Sequence, residues 1–228
     1  MSEIDLNADV GEGFDDSDRA LLEVVTSANI ACGFHAGAAE IAVALCRQAV
    51  ARGVAIGAHV GYRDREGFGR RELGLPASTI ESEAAEQIAA LSEWAGGADG
   101  RVAYVKPHGA LYHRASVDPE CAAAIVRAAG ELAVLAFPGS QLLAAAGAAG
   151  IPEGYADRAY APDGSLVARS EPGAVLAEDE AVRQAVRLAT AGAVRSICLH
   201  GDTPAAGAIS RRLRDELDAA GIAIRAFT

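Results

Sequence analysis

The feature that most constrains the fold of this 228-residue chain is a regular alternation of short strand-like stretches with amphipathic helical patterns. Stretches typical of β-strands occupy residues 4–10, 28–32, 54–59, 102–106, 132–137, 154–157, 195–200 and 222–227. Helical patterns lie between most of them; Ile41, Leu45 and Ala49, for example, form one apolar helix face that Gly53 ends. Because each helix carries the chain back across the sheet, such βα repetition requires parallel strands.

Signals for helix ends support this alternation. Ser78 and Glu81 have the spacing of a capping box, which predicts a helix start at Ser78. Asp118-Pro119 and Thr203-Pro204 predict two more starts, because Pro is favoured at the first position of a helix. Glycines in C-cap positions predict helix ends at Gly150, Gly192 and Gly221. No linker or low-complexity stretch interrupts the order, so we expect one domain over residues 1–228.

A parallel sheet of this kind is either doubly wound or closed as a barrel, and the number of strands favours closure. The first strand alternates strictly between apolar and polar residues, which puts Asp5, Asn7 and Asp9 on one face. A polar face on a first strand is explained if that face lines the inside of a barrel near its mouth. We therefore expect an α/β fold, a seven-stranded TIM-like (β/α) barrel.

Composition excludes several classes of partner. The net charge of -11 leaves no basic surface for nucleic-acid phosphates, so no nucleic acid partner is expected. The first residues lack a signal peptide pattern and no apolar run reaches the length of a membrane span, so we expect no membrane association. The four cysteines form no CxxC pair, which favours reduced thiols and a cytoplasmic location.

Side chains suited to catalysis stand at the predicted carboxyl ends of the strands. In chain order they are Asp9, Glu12, Asn29, His35, His59, Lys106, His108, Asp157, Arg158, His200 and Asp202. This set includes the only Lys of the chain and four of its five His. Each residue alone has a structural alternative, since a lone His often packs in a core and Asp202 can serve only as a helix cap. Their convergence on one mouth predicts an active site.

Familiar nucleotide and hydrolase motifs are absent. The stretch from Gly11 to Asp16 has Asp16 where the third glycine of a dinucleotide fingerprint belongs, and its acidic residues would repel a pyrophosphate. The sequence has no GxxxxGK[ST] loop, GxSxG elbow or HExxH helix. Any nucleotide must therefore be held in another way.

Two long connections, residues 61–76 and 157–173, have the length of lids or binding loops. The first carries four arginines that suit a phosphate or carboxylate clamp, namely Arg63, Arg65, Arg70 and Arg71. The alternative for each of them is a solvated surface charge.

Seven stretches, in order and over nearly the whole chain, resemble the LamB/YcsF family. They are DLNADVGEG at 5–13, SANIACGFHAG at 27–37, GAH at 57–59, GFGRR at 67–71, VKPHGALY at 105–112, ADRAY at 156–160 and HGDTP at 200–204. The chain departs from the family pattern at Ala8, Val10, Ala38-Ala39, Val60 and Arg63. Ala38 stands where the family pattern has an acid, so position 38 supplies no carboxylate to a mechanism or a metal site.

The resemblance implies a barrel related to the glycoside hydrolase and deacetylase type. It also implies ATP-dependent opening of 5-oxo-L-proline, or a similar small acidic amide, to L-glutamate in a complex with two other 5-oxoprolinase subunits. ATP would be the cofactor, with a divalent cation such as Mg as its partner.

An unactivated lactam is a poor electrophile, so ATP would phosphorylate its oxygen before water attacks, and the site would need cations, a base and an acid. The catalytic candidates are Asp9, Glu12, His35, His59, Lys106, His108 and His200. The candidates for substrate or phosphate binding are Asn7, Asn29, Arg70, Arg71, Asp157, Arg158 and Asp202. Metal-ligand candidates are Asp9, His59 and His108, and individual roles stay open.

Two other functions are compatible with the same residues. The cluster of carboxylates and histidines is also typical of a stand-alone metal-dependent hydrolase or deacetylase acting on an amide or a carbohydrate. A third interpretation is a non-catalytic chain that binds a small acid and regulates its partners.

Overall fold

The computed structural model describes residues 3–13, 15–169, 171–200 and 206–228, leaving aside the side chains of residues 15, 16 and 206. Its strands are β1 Glu3–Val10, β2 Ser27–Ala31, β3 Ala55–Val60, β4 Val102–Pro107, β5 Ala133–Ala136, β6 Gly150–Tyr155, β7 Ser196–His200 and β8 Ala223–Ile224. Its helices are α1 Asp15–Leu22, α2 Ala39–Arg52, α3 Ala77–Gly96, α4 Gly109–Val117, α5 Pro119–Ala129, α6 Gln141–Ala146, α7 Glu178–Ala191 and α8 Ala206–Ala219.

The first seven strands form a closed parallel barrel, because β1 pairs with β2 on one side and with β7 on the other. The remaining strands follow in chain order, and helices surround the barrel. The short strand β8 adds only to the beginning of β1, through Glu3 opposite Ala223 and Ile4 opposite Ile224. The predicted TIM-like barrel is confirmed.

Strand register brings the chemically active residues to one height. Asp9 of β1 lies opposite Asn29 of β2 and opposite His200 of β7. His59 of β3 lies opposite Lys106 of β4. Because all these strands are parallel, their carboxyl ends meet at a single mouth of the barrel.

The two faces of β1 lie in different environments. Leu6, Ala8 and Val10 are fully buried in the main apolar core between strands and helices, and burying such side chains stabilises the fold by about 1.5–3 kcal/mol for each large one. Asp5, Asn7 and Asp9 are almost as deeply buried, on the inside of the barrel. The predicted polar inner face of the first strand is therefore present.

The barrel interior is filled partly by an aromatic ring that a glycine admits. A Cβ atom at Gly57 would lie 2.1 Å from the ring of Tyr104. Only glycine at this position leaves room for that ring, whose hydroxyl donates a hydrogen bond to Asn29 Oδ1 over 2.8 Å. The interior is thus a packed polar core beneath the mouth rather than a channel.

Some local predictions were wrong or incomplete. Helix α3 begins at Ala77 after Pro76, with no side-chain cap, so Ser78 lies inside the first turn and forms no capping box with Glu81. The predicted strand at 154–157 is shifted, since β6 runs from Gly150 to Tyr155. The predicted start of the last helix at Thr203-Pro204 lies outside the described residues.

Other helix boundaries were predicted correctly. Asp118 caps α5 by accepting hydrogen bonds from the main-chain nitrogens of Glu120 and Cys121. Gly53 ends α2 and Gly192 ends α7, both in the left-handed conformation. Within the described ranges, no helix combines the length and apolar character needed to cross a membrane.

Candidate active site

A cavity of about 240 Å³ lies at the carboxyl ends of the barrel strands. Carboxylate, imidazole, ammonium and guanidinium groups line it: Asp9, Glu12, His59, Arg70, Lys106, His108, His113, Arg158, Arg169 and His200. The structure therefore brings six of the seven predicted catalytic residues to one cavity. The seventh, His35, contacts the Glu12 carboxylate.

Asp9 is the carboxylate at the centre of this cavity. Its Oδ1 accepts hydrogen bonds from Lys106 Nζ over 3.1 Å and from Asn29 Nδ2 over 2.8 Å. Its Oδ2 lies 3.4 Å from His59 Nε2 and 4.0 Å from His200 Nε2. Burial alone would raise the pKa of Asp9, but the charges and hydrogen bonds of its neighbours outweigh it and hold that pKa well below its usual range. Asp9 is therefore ionised at neutral pH.

Lys106 holds Asp9 in place from inside the barrel. The ammonium group is 2% exposed and lies 3.2 Å from Glu153 Oε2 and 3.0 Å from Cys198 Sγ. Burial would lower the pKa of Lys106, but the nearby negative charges, led by Asp9, raise it well above its ordinary value. Lys106 is thus a fixed cation, and the surrounding acceptors restrict its ammonium to an electrostatic role.

Three histidines contact one carboxylate oxygen of Glu12. Glu12 Oε1 lies 3.0 Å from His35 Nε2, 3.2 Å from His108 Nδ1 and 3.5 Å from His59 Nε2. The rings of His35 and His108 stack with centroids 3.9 Å apart. Burial would raise the pKa of Glu12, but its hydrogen bonds to His108 and His35 lower it far below the usual range. Burial, followed by the charge of His108, lowers the pKa of His35 to about 3, so His35 is neutral.

Main-chain carbonyls fix which nitrogen of two rings faces this centre. His59 donates from Nδ1 to the carbonyl of Lys106 over 3.1 Å, and His108 donates from Nε2 to the carbonyl of Phe68 over 2.8 Å. The other nitrogens, His59 Nε2 and His108 Nδ1, lie 3.0 Å apart. Phe68 has a left-handed backbone with φ 54°, and such strain is typical of functional loops.

A glycine lets the loop after β3 approach these rings. Gly69 has φ +64°, and a Cβ atom there would lie 2.8 Å from Cβ of His35 and 2.9 Å from Cδ2 of His108. Any side chain at this position would collide with both histidines. Residues 61–76 therefore supply one wall of the site, as the length of this connection predicted.

His200 forms a second acid-base pair with Asp157. His200 Nδ1 lies 2.9 Å from Asp157 Oδ1, and the ring stacks on Tyr155 with centroids 5.4 Å apart. Burial would lower the pKa of His200, but the charge of Asp157 and the hydrogen bond to it raise that pKa above the ordinary value. Asp157, predicted to bind substrate, thus orients the His200 imidazole and favours its protonated form.

The two asparagines predicted to bind substrate lie below the cavity. Asn29 donates from Nδ2 to Asn7 Oδ1 over 2.7 Å as well as to Asp9. Asn7 in turn donates to Ser196 Oγ over 2.7 Å. Both residues are completely buried, so they position Asp9 and Lys106 and do not line the cavity.

The predicted arginine clamp divides into different roles. Arg70 and Arg158 line the cavity. Arg71 does not, because its Nε donates to both oxygens of Asp64 over 3.0 and 3.1 Å. Arg63 stacks on Phe34 and pairs with a glutamate of α3, and Arg65 binds main-chain carbonyls of the loop after β2. Asp202 lies outside the described residues.

Sequence reasoning missed two buried carboxylates. Glu153 of β6 is fully buried and pairs with Lys106. Asp5 was seen only as part of a polar face, yet it accepts hydrogen bonds from Thr26 Oγ1 and Ser27 Oγ, both over 2.6 Å, and from Ser196. The alternation of the first strand signalled Asp5, whereas Glu153 lies in a strand whose Gly and Pro residues hide the pattern.

The residues at the mouth fit a divalent cation. One ligand atom from each of Glu12, His35, His59 and His108 lies within 4.8 Å of the others, and a second such group is Asp9, Cys198 and His200. His35 Nδ1 has no hydrogen-bond partner among the described residues. A set of imidazole nitrogens with one carboxylate is the donor set that zinc and similar metals prefer. Of the predicted metal ligands, His59 and His108 fall in the first group and Asp9 in the second.

Comparison with known proteins adds independent information. A family model described as LamB/YcsF matches residues 4–228. A curated relative from Streptomyces griseus, named as the A subunit of 5-oxoprolinase, is 50% identical over 98% of this chain and 99% of its own length. The crystal structure of a lactam utilization protein from Thermus thermophilus is 37% identical, with a TM-score of 0.90 over 99% of this chain and 100% of that one.

A more distant likeness concerns the fold alone. A family 4 carbohydrate esterase from Streptomyces lividans superposes with a TM-score of 0.58 at 15% identity, covering 100% of this chain and 93% of that one. The barrel fold is therefore shared with a carbohydrate esterase.

Proposed function

The chain belongs to the LamB/YcsF family, and from this membership we propose that it is the hydrolytic A subunit of a 5-oxoprolinase. In this role it would help to open the lactam of 5-oxo-L-proline to L-glutamate, in the cytoplasm, together with two other subunits. The name of the Streptomyces griseus relative, at 50% identity over nearly the full length, supports the proposal.

The structural observation that carries the proposal is the ionised Asp9 at the centre of the cavity. A carboxylate held by Lys106 Nζ at 3.1 Å and facing His59 Nε2 at 3.4 Å is suited to orient a water and accept its proton. The imidazoles of His59 and His200 border the same cavity, so a proton can be returned to a leaving nitrogen from a neighbouring group. Lactam opening requires this combination of base and acid.

In the proposed reaction, ATP activates the lactam before water attacks it. The lactam oxygen takes the terminal phosphoryl group of ATP, ADP leaves, and the ring nitrogen loses its proton to give an imidate phosphate. Water then adds to the ring carbon, the carbon–nitrogen bond breaks, and the nitrogen gains protons to become the amine of γ-glutamyl phosphate. A second water releases phosphate and leaves glutamate.

This chain would contribute the water-dependent steps. Asp9 would take the proton of the attacking water, and Lys106 would keep Asp9 ionised through a hydrogen bond to its other oxygen. His200, charged by Asp157, would donate to the departing nitrogen. A divalent cation held by Glu12, His35, His59 and His108 would supply Lewis-acid polarisation of the carbonyl oxygen or the water.

Reconstitution tests this proposal. The purified chain is combined with two other 5-oxoprolinase subunits, 5-oxoproline and ATP, and glutamate is measured against ADP. We expect glutamate and ADP in equal amounts with all three subunits, and no glutamate when this chain is left out. Glutamate formation at an unchanged rate without this chain would refute the proposal.

The Glu12 centre favours a second candidate function, a stand-alone metal-dependent amide or carbohydrate hydrolase. Four ligand atoms within 4.8 Å of one another are the observation that favours it. Elemental analysis and activity on N-acetylated sugars without ATP distinguish the two, because only a stand-alone hydrolase would lose an ATP-independent activity to a chelator. If the chain binds 5-oxoproline but no variant of Asp9 changes turnover, the non-catalytic regulatory role is correct.

A further inference from the structure

The main-chain carbonyl of Phe68 determines which nitrogen of His108 faces the Glu12 centre, the group of Glu12, His35, His59 and His108. Since a carbonyl oxygen can only accept, the proton of His108 lies on Nε2, 2.8 Å from that oxygen. His108 Nδ1 is then left to face Glu12 Oε1 at 3.2 Å. The Phe68 ring also meets the rings of His35 and His108 edge to face, with centroids 6.0 and 5.5 Å apart. The position of Phe68 therefore affects how two potential metal ligands are presented.

Phe68 holds its carbonyl in an unfavourable backbone conformation. Its φ of 54° lies in the left-handed region, which residues with a bulky side chain rarely adopt. Such a conformation persists only where surrounding contacts maintain it. The direction of the Phe68 carbonyl thus depends on the residues that close the turn around it.

Asp64 closes this turn with two hydrogen bonds. Its Oδ1 accepts from the main-chain nitrogen of Gly67 over 2.9 Å, and its own carbonyl oxygen accepts from the main-chain nitrogen of Gly69 over 2.8 Å. Gly67 and Gly69 are the two neighbours of Phe68 in the chain. A Cβ atom at Gly67 would lie 2.1 Å from Asp64 Oδ2, so the chain passes as close to the carboxylate as glycine allows. Asp64 therefore fixes the backbone on both sides of Phe68.

Arg71 in turn fixes the Asp64 carboxylate. Its Nε donates to the two oxygens over 3.0 and 3.1 Å, and a terminal nitrogen also donates to Oδ1. These hydrogen bonds lower the pKa of Asp64 to about 2, so the carboxylate is ionised at neutral pH. Charge-assisted bonds from a planar guanidinium restrict the orientation of both groups.

We propose that Asp64 and Arg71 are positioning residues that set the tautomer of His108 and the metal affinity of the Glu12 centre through the carbonyl of Phe68. Neither side chain is among those that line the cavity. An imidazole ligand is oriented by the hydrogen bond of its other nitrogen, and loss of that partner typically lowers metal affinity about 10- to 100-fold. The inference goes beyond the proposed function, because it applies to either hydrolytic reaction.

Two measurements on the purified full chain test this inference. Zinc affinity is measured by competition with a chromophoric chelator, and the tautomer of His108 by heteronuclear NMR of the metal-free chain at neutral pH. We expect Asp64→Ala and Arg71→Gln each to bind zinc about tenfold or more weakly and to shift the His108 proton from Nε2 toward Nδ1. Arg63→Gln is the matched control, since Arg63 lies in the same loop but pairs with Glu86 of α3, and it is expected to keep the wild-type values.

A folded Asp64→Ala variant with zinc affinity within about twofold of wild type, and with the His108 proton still on Nε2, would overturn the inference. An equal loss in Arg63→Gln would also overturn it, because the effect would then come from general disturbance of the loop. If Asp64→Ala does not fold, the same criteria applied to Arg71→Gln decide the question. Absence of zinc binding by the wild-type chain would refute the effect on metal affinity. Neither measurement uses lactam, ATP or partner subunits, so the result is separate from that of the reconstitution experiment.

Discussion

His59 Nε2 and His108 Nδ1 lie 3.0 Å apart at the mouth of the barrel, while the other nitrogen of each ring donates to a main-chain carbonyl. The two facing nitrogens are therefore directed at each other and at Glu12 Oε1 by fixed tautomers. Two neutral rings would face each other here with lone pairs, so the contact requires a positive charge, which is either a proton on one of the two imidazoles or a divalent cation between them. Asp9 and Glu12 raise the pKa of His59 against the effect of its burial.

Zinc is expected to stabilise the chain through this centre. Because the ligand atoms already lie within 4.8 Å of one another, added Zn²⁺ binds the folded state and raises Tm with increasing concentration. His59→Gln removes one imidazole ligand and is expected to abolish most of this shift, measured by differential scanning calorimetry.

The control for the zinc experiment is His113→Gln, which removes a histidine that is not a member of either group of potential ligands. A zinc-dependent shift in Tm of the same size in wild type and His59→Gln would show that the metal binds elsewhere.

Removing the Lys106 ammonium is expected to destabilise the fold. Lys106→Met leaves Asp9 and Glu153 buried together without their shared cation, so the free energy of unfolding is expected to fall by about 3–5 kcal/mol. Adding Glu153→Gln to this variant removes one of the two unpaired charges and is expected to restore part of that loss. Urea unfolding monitored by circular dichroism gives the comparison. A double variant less stable than Lys106→Met would contradict this role of Lys106.

Asp157 is expected to set the protonation of His200. Since Asp157 raises the pKa of His200, Asp157→Asn lowers it, and the basic limb of the activity profile moves to lower pH. The raised pKa also means that the pair stabilises the fold at low pH and that this stabilisation is lost as pH rises through the His200 pKa. Titration of the imidazole by NMR measures the shift directly. An unchanged His200 pKa in Asp157→Asn would exclude the pairing.

Asp5 is expected to make the fold less stable as pH rises. Burial raises its pKa from 3.8 to about 6, in spite of hydrogen bonds from Ser196, Ser27 and Thr26. The folded state therefore holds a proton that the unfolded state has lost between these values, so stability present below pH 3.8 is lost by pH 6.

The Asp5→Asn variant isolates this effect because it cannot ionise. The free energy of unfolding of Asp5→Asn, relative to wild type, is expected to rise by about 2 kcal/mol between pH 4 and pH 7. Denaturant unfolding at both pH values supplies the numbers. A difference between the two proteins that stays constant with pH would show that Asp5 titrates at its ordinary value.

The barrel and its mouth could be predicted from the sequence, because the alternation of strand and helix patterns implies parallel strands whose carboxyl ends lie together. Parallel strands place their carboxyl ends together, so Asp9, His59, Lys106 and His200 had to meet once the alternation was recognised. Their neighbours were harder to predict. Glu153 stands beside Pro152 in a strand that the period-two pattern does not mark.

Loop residues were the least predictable part of the site. Arg70 and Arg71 are adjacent in a loop, yet Arg70 lines the cavity and Arg71 binds Asp64. Their directions depend on the turn that Asp64 closes with the main-chain nitrogen of Gly67 and on the left-handed backbone of Phe68. Periodicity carries no information about such a turn, so only the structure separates the two arginines.

The most direct test of the account is the rate of glutamate formation by the reconstituted complex containing Asp9→Asn. This change keeps the shape of the side chain but removes the base, so we expect a loss of about 10³-fold or more, with unfolding monitored to show that the fold is intact. Asp218→Asn, an exposed aspartate on α8, is the matched control and is expected to keep the wild-type rate. A folded Asp9→Asn variant within about threefold of the wild-type rate would contradict the central role of Asp9.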